Sequence, residues 1–234
     1  DLLVMYPPVG ERRATRLAEL AQRTKLTVAL DSDVAAAALS RAAVKAGSTV
    51  RVLVELDAGM HRVGVQSPGD AAALGRRVAE LPRLAVAGIA FYPGHVRGPV
   101  DGHAPQLAAL GQLIADAKRA FADYGLPTDV VSAGSTPTFW RTHEIAGLTE
   151  MRPGTYIFND RTTAQIGACG ADDCALTVQA TVVSASVAGQ AVIDAGAKAL
   201  GREPIRDGAG DGFGCLADDV TIVVKSMSEE HGIL

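Results

Sequence analysis

Runs of unbroken apolar residues alternate with amphipathic stretches over the first 160 residues of the chain. LLVMYP (2–7) precedes ERRATRLAELAQRT, which puts Leu17, Leu20 and Ala21 on one helical face. LTVALDS (26–32) leads into DVAAAALSRAAVKAG, with Ser32 or Asp31 as N-cap and Gly47 just past the end. VRVLVELD (50–57) leads through AGMHRVGV to Ser67 and Pro68, an N-cap followed by Pro at the first helical position, and the helix runs to about residue 81. LAVAGIAFYP (84–93) precedes a helix over 104–124 closed by Gly125. DVVSAG (129–134) and EMRPGTYIF (150–158) complete the series. Apolar strands alternating with helices predict a parallel sheet covered on both faces. About six βα units point to a (β/α)8-type barrel rather than an open sheet.

After about residue 170 the period changes. ALTVQATVVSASVAGQAVIDAG (175–196) alternates at period two around an AGQ turn, and DVTIVVKS (219–226) does so again. Between them, RDGAGDGFGCLADD (206–219) is too rich in Gly and Asp for a core element. Two regions are therefore expected: a barrel over 1–170 and part of an antiparallel β domain over 171–234. The chain opens directly into a strand at Asp1 and stops after SEEHGIL without a closing element, so the expected barrel lacks its N-terminal strands and the chain reads as a fragment.

Composition narrows the picture. With 234 residues, 48% of them hydrophobic, there is material for a substantial core. A net charge of -4 gives no reason to expect nucleic acid or a membrane surface as partner. No apolar run reaches the length of a membrane span, and a cytoplasmic location is expected. Cys169, Cys174 and Cys215 form no C-x-x-C pair. They read as reduced thiols, and CGADDC reads as a surface loop in preference to a metal site.

In a parallel barrel the chemistry sits at the C-terminal strand ends. Strand three ends in Asp57, Met60, His61 and Arg62; strand four in Tyr92, Gly94 and His95; strand five in SAGSTPT (132–138); strand six in Arg152, Gly154 and Tyr156. Singly, each is an ordinary turn. Four on one rim mark a site. Free backbone N–H groups in SAGSTPT, with the hydroxyls of Ser135 and Thr136, suit a phosphate.

DAGMHRVGV, AFYPGHV, VVSAGSTPTFWRTHEI, EMRPGTYIFND, VIDAGAKAL and SEEHG, in this order and spacing, resemble the bacterial D-threonine aldolase and D-serine dehydratase family. Its barrel is that of alanine racemase, the third fold type of pyridoxal phosphate (PLP) enzymes. The resemblance runs over essentially the whole chain. It implies a PLP-dependent, metal-assisted lyase of D-3-hydroxy amino acids, acting by retro-aldol cleavage or dehydration, and a homodimer. It places Arg62 near the cofactor's phenolic oxygen, Tyr92 and Arg152 beside its ring nitrogen, and Gly134, Ser135, Thr136 and Tyr156 around its phosphate. His95 is assigned to substrate or to loop order, and Asp57 to orienting its loop.

Two departures stand beside these matches. The family's Schiff-base lysine belongs to a first barrel strand, whereas Lys25, Lys45, Lys118, Lys198 and Lys225 all lie elsewhere. The His-x-Cys or His-x-Asp motif that holds the divalent metal, Mn or Zn, is absent after His231, so no residue here is assigned as a metal ligand. The chain as given is accordingly expected to be inactive. The rival readings are a PLP-binding carrier without a reaction, which the β-domain segment speaks against, an amino-acid racemase, and a barrel binding a sugar phosphate.

Overall fold

The computed structural model describes residues 1–205 and 212–234; residues 206–211 of the Gly- and Asp-rich stretch lie outside the described residues. The chain divides into two compact units, Asp1–Arg97 with Asp101–Pro153, and Gly98–Val100 with Gly154–Leu234. The boundary expected at residue 170 falls inside the second of these units.

In the first unit six parallel strands stand side by side in chain order: β1 (Leu2–Val4), β2 (Leu26–Leu30), β3 (Val50–Glu55), β4 (Leu84–Ala90), β5 (Val130–Ala133) and β6 (Glu150–Met151). Helices α1 (Glu11–Leu20), α2 (Asp33–Ala46), α3 (Pro68–Ala79) and α4 (Ala104–Asp123) connect the first five. This is six strands of a parallel barrel wall covered by helices, as the alternating pattern predicts. The helix ends follow the local chemistry. Ser32 and Ser67 accept hydrogen bonds from Ala35 N (3.4 Å) and Asp70 N (3.1 Å), and Gly47 closes α2. Val52, Val54 and Leu56 pack outward against the helices. Ala29, Leu53, Ala87 and Ala90 form a separate inner cluster.

Strand six is shorter than expected. The ladder bond from Arg152 N to Ala133 O (2.9 Å) is followed by Pro153, which has no N–H to continue it. Thr155–Ile157 form a 3-10 turn in the second unit. Tyr156 is therefore not on a barrel strand.

The second unit holds short helices α5 (Arg161–Gln165) and α6 (Ala197–Leu200) and a four-stranded antiparallel sheet in the order β7-β8-β10-β9. The strands are β7 (Val182–Ser184), β8 (Val192–Ile193), β9 (Ser226–Met227) and β10 (Gly232–Ile233). The β character is as expected; the extents are not. Leu176 is 80% exposed, so the alternation over 175–181 has no face to bury and forms no strand. Of 219–226 only Ser226 joins the sheet, apart from an isolated bridge between Val223 and Cys215. The segment expected to lack an element carries β10, paired on both sides.

Candidate functional site

The loop after β3 folds back on its own strand. Val65 N donates to Glu55 O (2.9 Å) and Asp57 N to Val65 O (2.9 Å), so residues 57–64 form a closed excursion. Its centre is the Asp57 carboxylate, which accepts from Gly59 N (2.9 Å), His61 N (3.0 Å) and the His61 ring (2.9 Å). Burial pushes this carboxyl up, but the three donors outweigh it and hold it down at about 2. Gly64 crosses directly over the loop's base with φ +103°, and a Cβ there would lie 2.5 Å from Asp57 N. Gly64 N also donates to Asp31 Oδ2 at 3.1 Å, tying the loop to the end of β2.

This loop aims Arg62. Its guanidinium stands 4.9 Å over the Tyr92 ring, a cation–π contact. Arg62 and Tyr92 line a small, open recess with Glu55, Asp57 and Met60. Beside it, the His95 ring occupies the space above Gly59, where a Cβ would come within 3.2 Å of it. Partial burial lowers the His95 pKa, against the pull of Asp57.

The loop after β5 is a knot of small hydroxyls. Ser135, Thr136 and Thr138 are all buried. Ser135 Oγ lies 3.1 Å from Thr138 Oγ1, Ser135 N donates to Thr138 Oγ1 (3.3 Å), and Thr138 Oγ1 donates to Ser135 O (3.2 Å). Gly134 leaves the backbone room: a Cβ would come 2.8 Å from Arg152 N. Arg152 then lies over the end of β5, with Nε donating to Ser132 Oγ (2.8 Å) and Nη2 to Phe91 O (2.7 Å).

The first unit therefore brings together Arg62, Tyr92, His95, Gly134, Ser135, Thr136 and Arg152 at one set of strand ends. Tyr156, 45% exposed, belongs to the second unit. Three participants were not singled out from sequence. Thr138 lies inside the SAGSTPT motif, but its pairing with Ser135 depends on the turn. Ser132 opens the same motif, but its bonds to Arg152 and Glu150 likewise depend on the fold; Glu55 reads as a strand residue, and a glutamate inside an apolar strand is the signal that was there to be used.

No lysine of the first unit stands at these strand ends. Lys25 precedes β2 at its opposite end and pairs with Asp1 (3.4 Å), and Lys45 and Lys118 lie on helices. Lys198 and Lys225 belong to the second unit; Lys198 lies in α6 and pairs with Glu230 at 2.5 Å. Among the described residues no group of three or more His, Cys, Asp or Glu is placed to hold a metal. No helix among them is long and apolar enough to cross a membrane.

Comparison with known proteins gives two family matches. Residues 8–162 match the alanine racemase N-terminal domain, and residues 175–234 match a family described as a serine dehydratase domain. D-threo-3-hydroxyaspartate dehydratase of Delftia sp. is 32% identical over 231 residues, covering 89% of this chain and 58% of that protein. D-threonine aldolase of Arthrobacter sp. is 27% identical, covering all of this chain and 61% of the other. The crystal structure of D-threonine aldolase from Filomicrobium marinum superposes with a TM-score of 0.78 at 30% identity, over 100% of this chain and 62% of that one. The chain thus spans about six-tenths of the length of these relatives.

Proposed function

The chain belongs to the alanine racemase N-terminal domain family, and from that premise we propose that it is the cofactor-binding part of a PLP-dependent lyase of D-3-hydroxy amino acids. The observation that carries the reading is that a buried hydroxyl loop after β5 and the guanidinium-bearing residues Arg62 and Arg152, after β3 and β6, all follow the C-terminal ends of strands of one sheet. The residues fit the cofactor. Gly134, at φ +129°, lets the loop after β5 pack closely against the Arg152 backbone, the loop at Ser135 and Thr136 suits a phosphate, and Arg62 and Arg152 bring positive charge to an anionic ring system. In this reading Arg62 favours the ionised phenolic oxygen, while Tyr92 and Arg152 face the ring nitrogen. Tyr156 as a phosphate ligand and His95 as a substrate contact rest on the family resemblance.

The cofactor, when bound, supplies an electron sink for the bond broken next to the amino group. The chain's own residues hold and orient it, and the Asp57-centred loop keeps Arg62 in place. A D-3-hydroxy amino acid is the substrate class that supports both the aldolase and the dehydratase names among the relatives. A divalent metal, Mn or Zn, would activate the β-hydroxyl in the complete enzyme. The match of residues 175–234 to a dehydratase domain favours a lyase over a carrier built of the barrel alone.

The test is titration with PLP, followed by borohydride reduction and mass spectrometry. The 234-residue chain should bind PLP, lose it on dialysis, and yield no pyridoxyl-lysine. Absence of binding sinks the cofactor reading. A specific adduct on Lys25 or Lys198 overturns the conclusion that these lysines stand away from the site.

A further inference from the structure

Four residues on four neighbouring strands stand at one level of the first unit's sheet. The register pairs Glu55 of β3 with Ala90 of β4, Ala90 with Ser132 of β5, and Ser132 with Glu150 of β6. Ser132 donates to Glu150 Oε1 at 2.5 Å and accepts from Arg152 Nε at 2.8 Å. Arg152 begins just beyond β6 and lies across β5, because its Nη2 donates both to Ser132 O (3.1 Å) and to Phe91 O at the end of β4 (2.7 Å). The guanidinium thus reaches as far as β4, and β3 with Glu55 is next. Between them Ala90 contributes only a methyl group.

Glu55 is 3% exposed, and its Oε2 has no hydrogen-bond partner among the described residues. A buried carboxyl oxygen left unsatisfied is costly enough to need an explanation. We propose that Glu55 is a positioning residue for Arg152: across the gap left by Ala90, its carboxylate holds the guanidinium in the orientation that meets the ring of a bound cofactor. This rests on the cofactor reading above, which supplies the ligand for Arg152 to meet.

The charges point the same way. Burial pushes the Glu55 carboxyl up; Arg152 is the strongest charge drawing it back, Asp31 adds to the rise, and Arg62 opposes it more weakly. Burial lowers Arg152, and Glu55 opposes this ahead of Glu150 and Tyr92. Each is the other's leading charged neighbour. Glu55 therefore takes up a proton more readily than an exposed glutamate, and its hold on Arg152 strengthens as pH rises through its elevated pKa.

The experiment measures PLP affinity by absorbance titration, from about pH 5 to about pH 9, for the chain as given, Glu55→Gln, Arg152→Ala and the double variant. At the alkaline end Glu55→Gln should weaken PLP by about tenfold, and adding it to Arg152→Ala should weaken nothing further. As pH falls through the raised Glu55 pKa the Glu55→Gln and unsubstituted curves should converge, because the carboxyl loses its charge. Additive losses, or a difference that ignores pH, overturn the proposal. Urea unfolding of the same four proteins separates this from failure of the cofactor reading. If none binds PLP, the cofactor reading falls; a non-additive stability loss then still supports the Glu55–Arg152 pairing, and an additive one overturns it.

Discussion

Asp57 turns its carboxylate back on its own loop. Three donors converge on it, from Gly59, His61 and the His61 ring, and its side chain is 2% exposed. That geometry has a pH signature. The folded pKa of about 2 lies below the ordinary carboxylate value near 4, so the group stabilises the fold above about pH 4 and loses that contribution as pH falls towards 2. The magnitude is about 2 kcal/mol. Asp57→Asn should therefore be less stable than the parent by about that amount at neutral pH, with the gap closing below about pH 2. Chemical denaturation across that range measures it; a gap that stays constant with pH would show that the carboxylate's charge contributes nothing. Arg62 rides on this loop, so the same variant should loosen any ligand that Arg62 holds. At this scale the sequence spoke unevenly. DAGMHRVGV announces a tight loop through its glycines and its lone acid, and the orienting role expected of Asp57 agrees with its hydrogen bonds. The pairing of Ser135 with Thr138 and the open oxygen of Glu55 depend on which side chains meet in space, and one-dimensional spacing carries no trace of that.

Strand β4 shows how an element decides which residues enter the site. Its register against β3 skips a residue: Val52 pairs with Val86, but Leu53 pairs with Gly88. The extra residue is Ala87, and the bulge shifts the inward phase so that both Ala87 and Ala90, three apart, belong to the inner cluster. Without it Ala90 would leave the row shared with Glu55 and Ser132. Gly88 makes the bulge possible. Its φ is +144°, and a Cβ would fall 1.9 Å from Val130 O, inside the neighbouring strand's backbone. Gly88→Ala should cost about 3 kcal/mol or more, since it combines backbone strain with a clash that only a strand shift relieves. A melting temperature and denaturant midpoint close to the parent's would remove the bulge from this account. The apolar run LAVAGIAFYP was enough to predict the strand, because continuous burial needs no phase. The bulge was hidden for the same reason: a run with no alternation cannot show where the alternation slips. In the second unit the converse holds. LTVQATV alternates well but forms no strand before Val182, because a period-two pattern becomes a strand only where one face finds a core.

At the scale of the whole molecule the question is what covers the apolar surface. The second unit's own core is small, built on Ile193, Ala195 and Val224. Elsewhere in the second unit Ile157 is 62% exposed, Phe158 64% and Val187 58%, and in the first unit Met151 of the edge strand β6 is 49% exposed. Leu2 of the other edge strand, β1, is 47% exposed. Large exposed apolar side chains, and strands with an unpaired edge, are surfaces that further polypeptide covers, from the same chain or from another. The alternation of strands and helices foretold the barrel wall because that pattern follows from burying two faces of a parallel sheet. It said nothing of association, since an apolar residue in a short strand reads the same whether its partner lies in the same chain or another. We expect a homodimer. Light scattering coupled to size exclusion should give twice the chain mass of 24.1 kDa at micromolar concentration. Ile157→Glu with Phe158→Glu should shift the equilibrium towards monomer by at least about tenfold, because two desolvated charges would have to be buried to keep the contact. The far-ultraviolet circular dichroism of that variant should stay unchanged, since both side chains are exposed in the chain and contribute little to its own packing. A stable monomer from the unsubstituted chain would leave these surfaces to a different partner and end the dimer expectation.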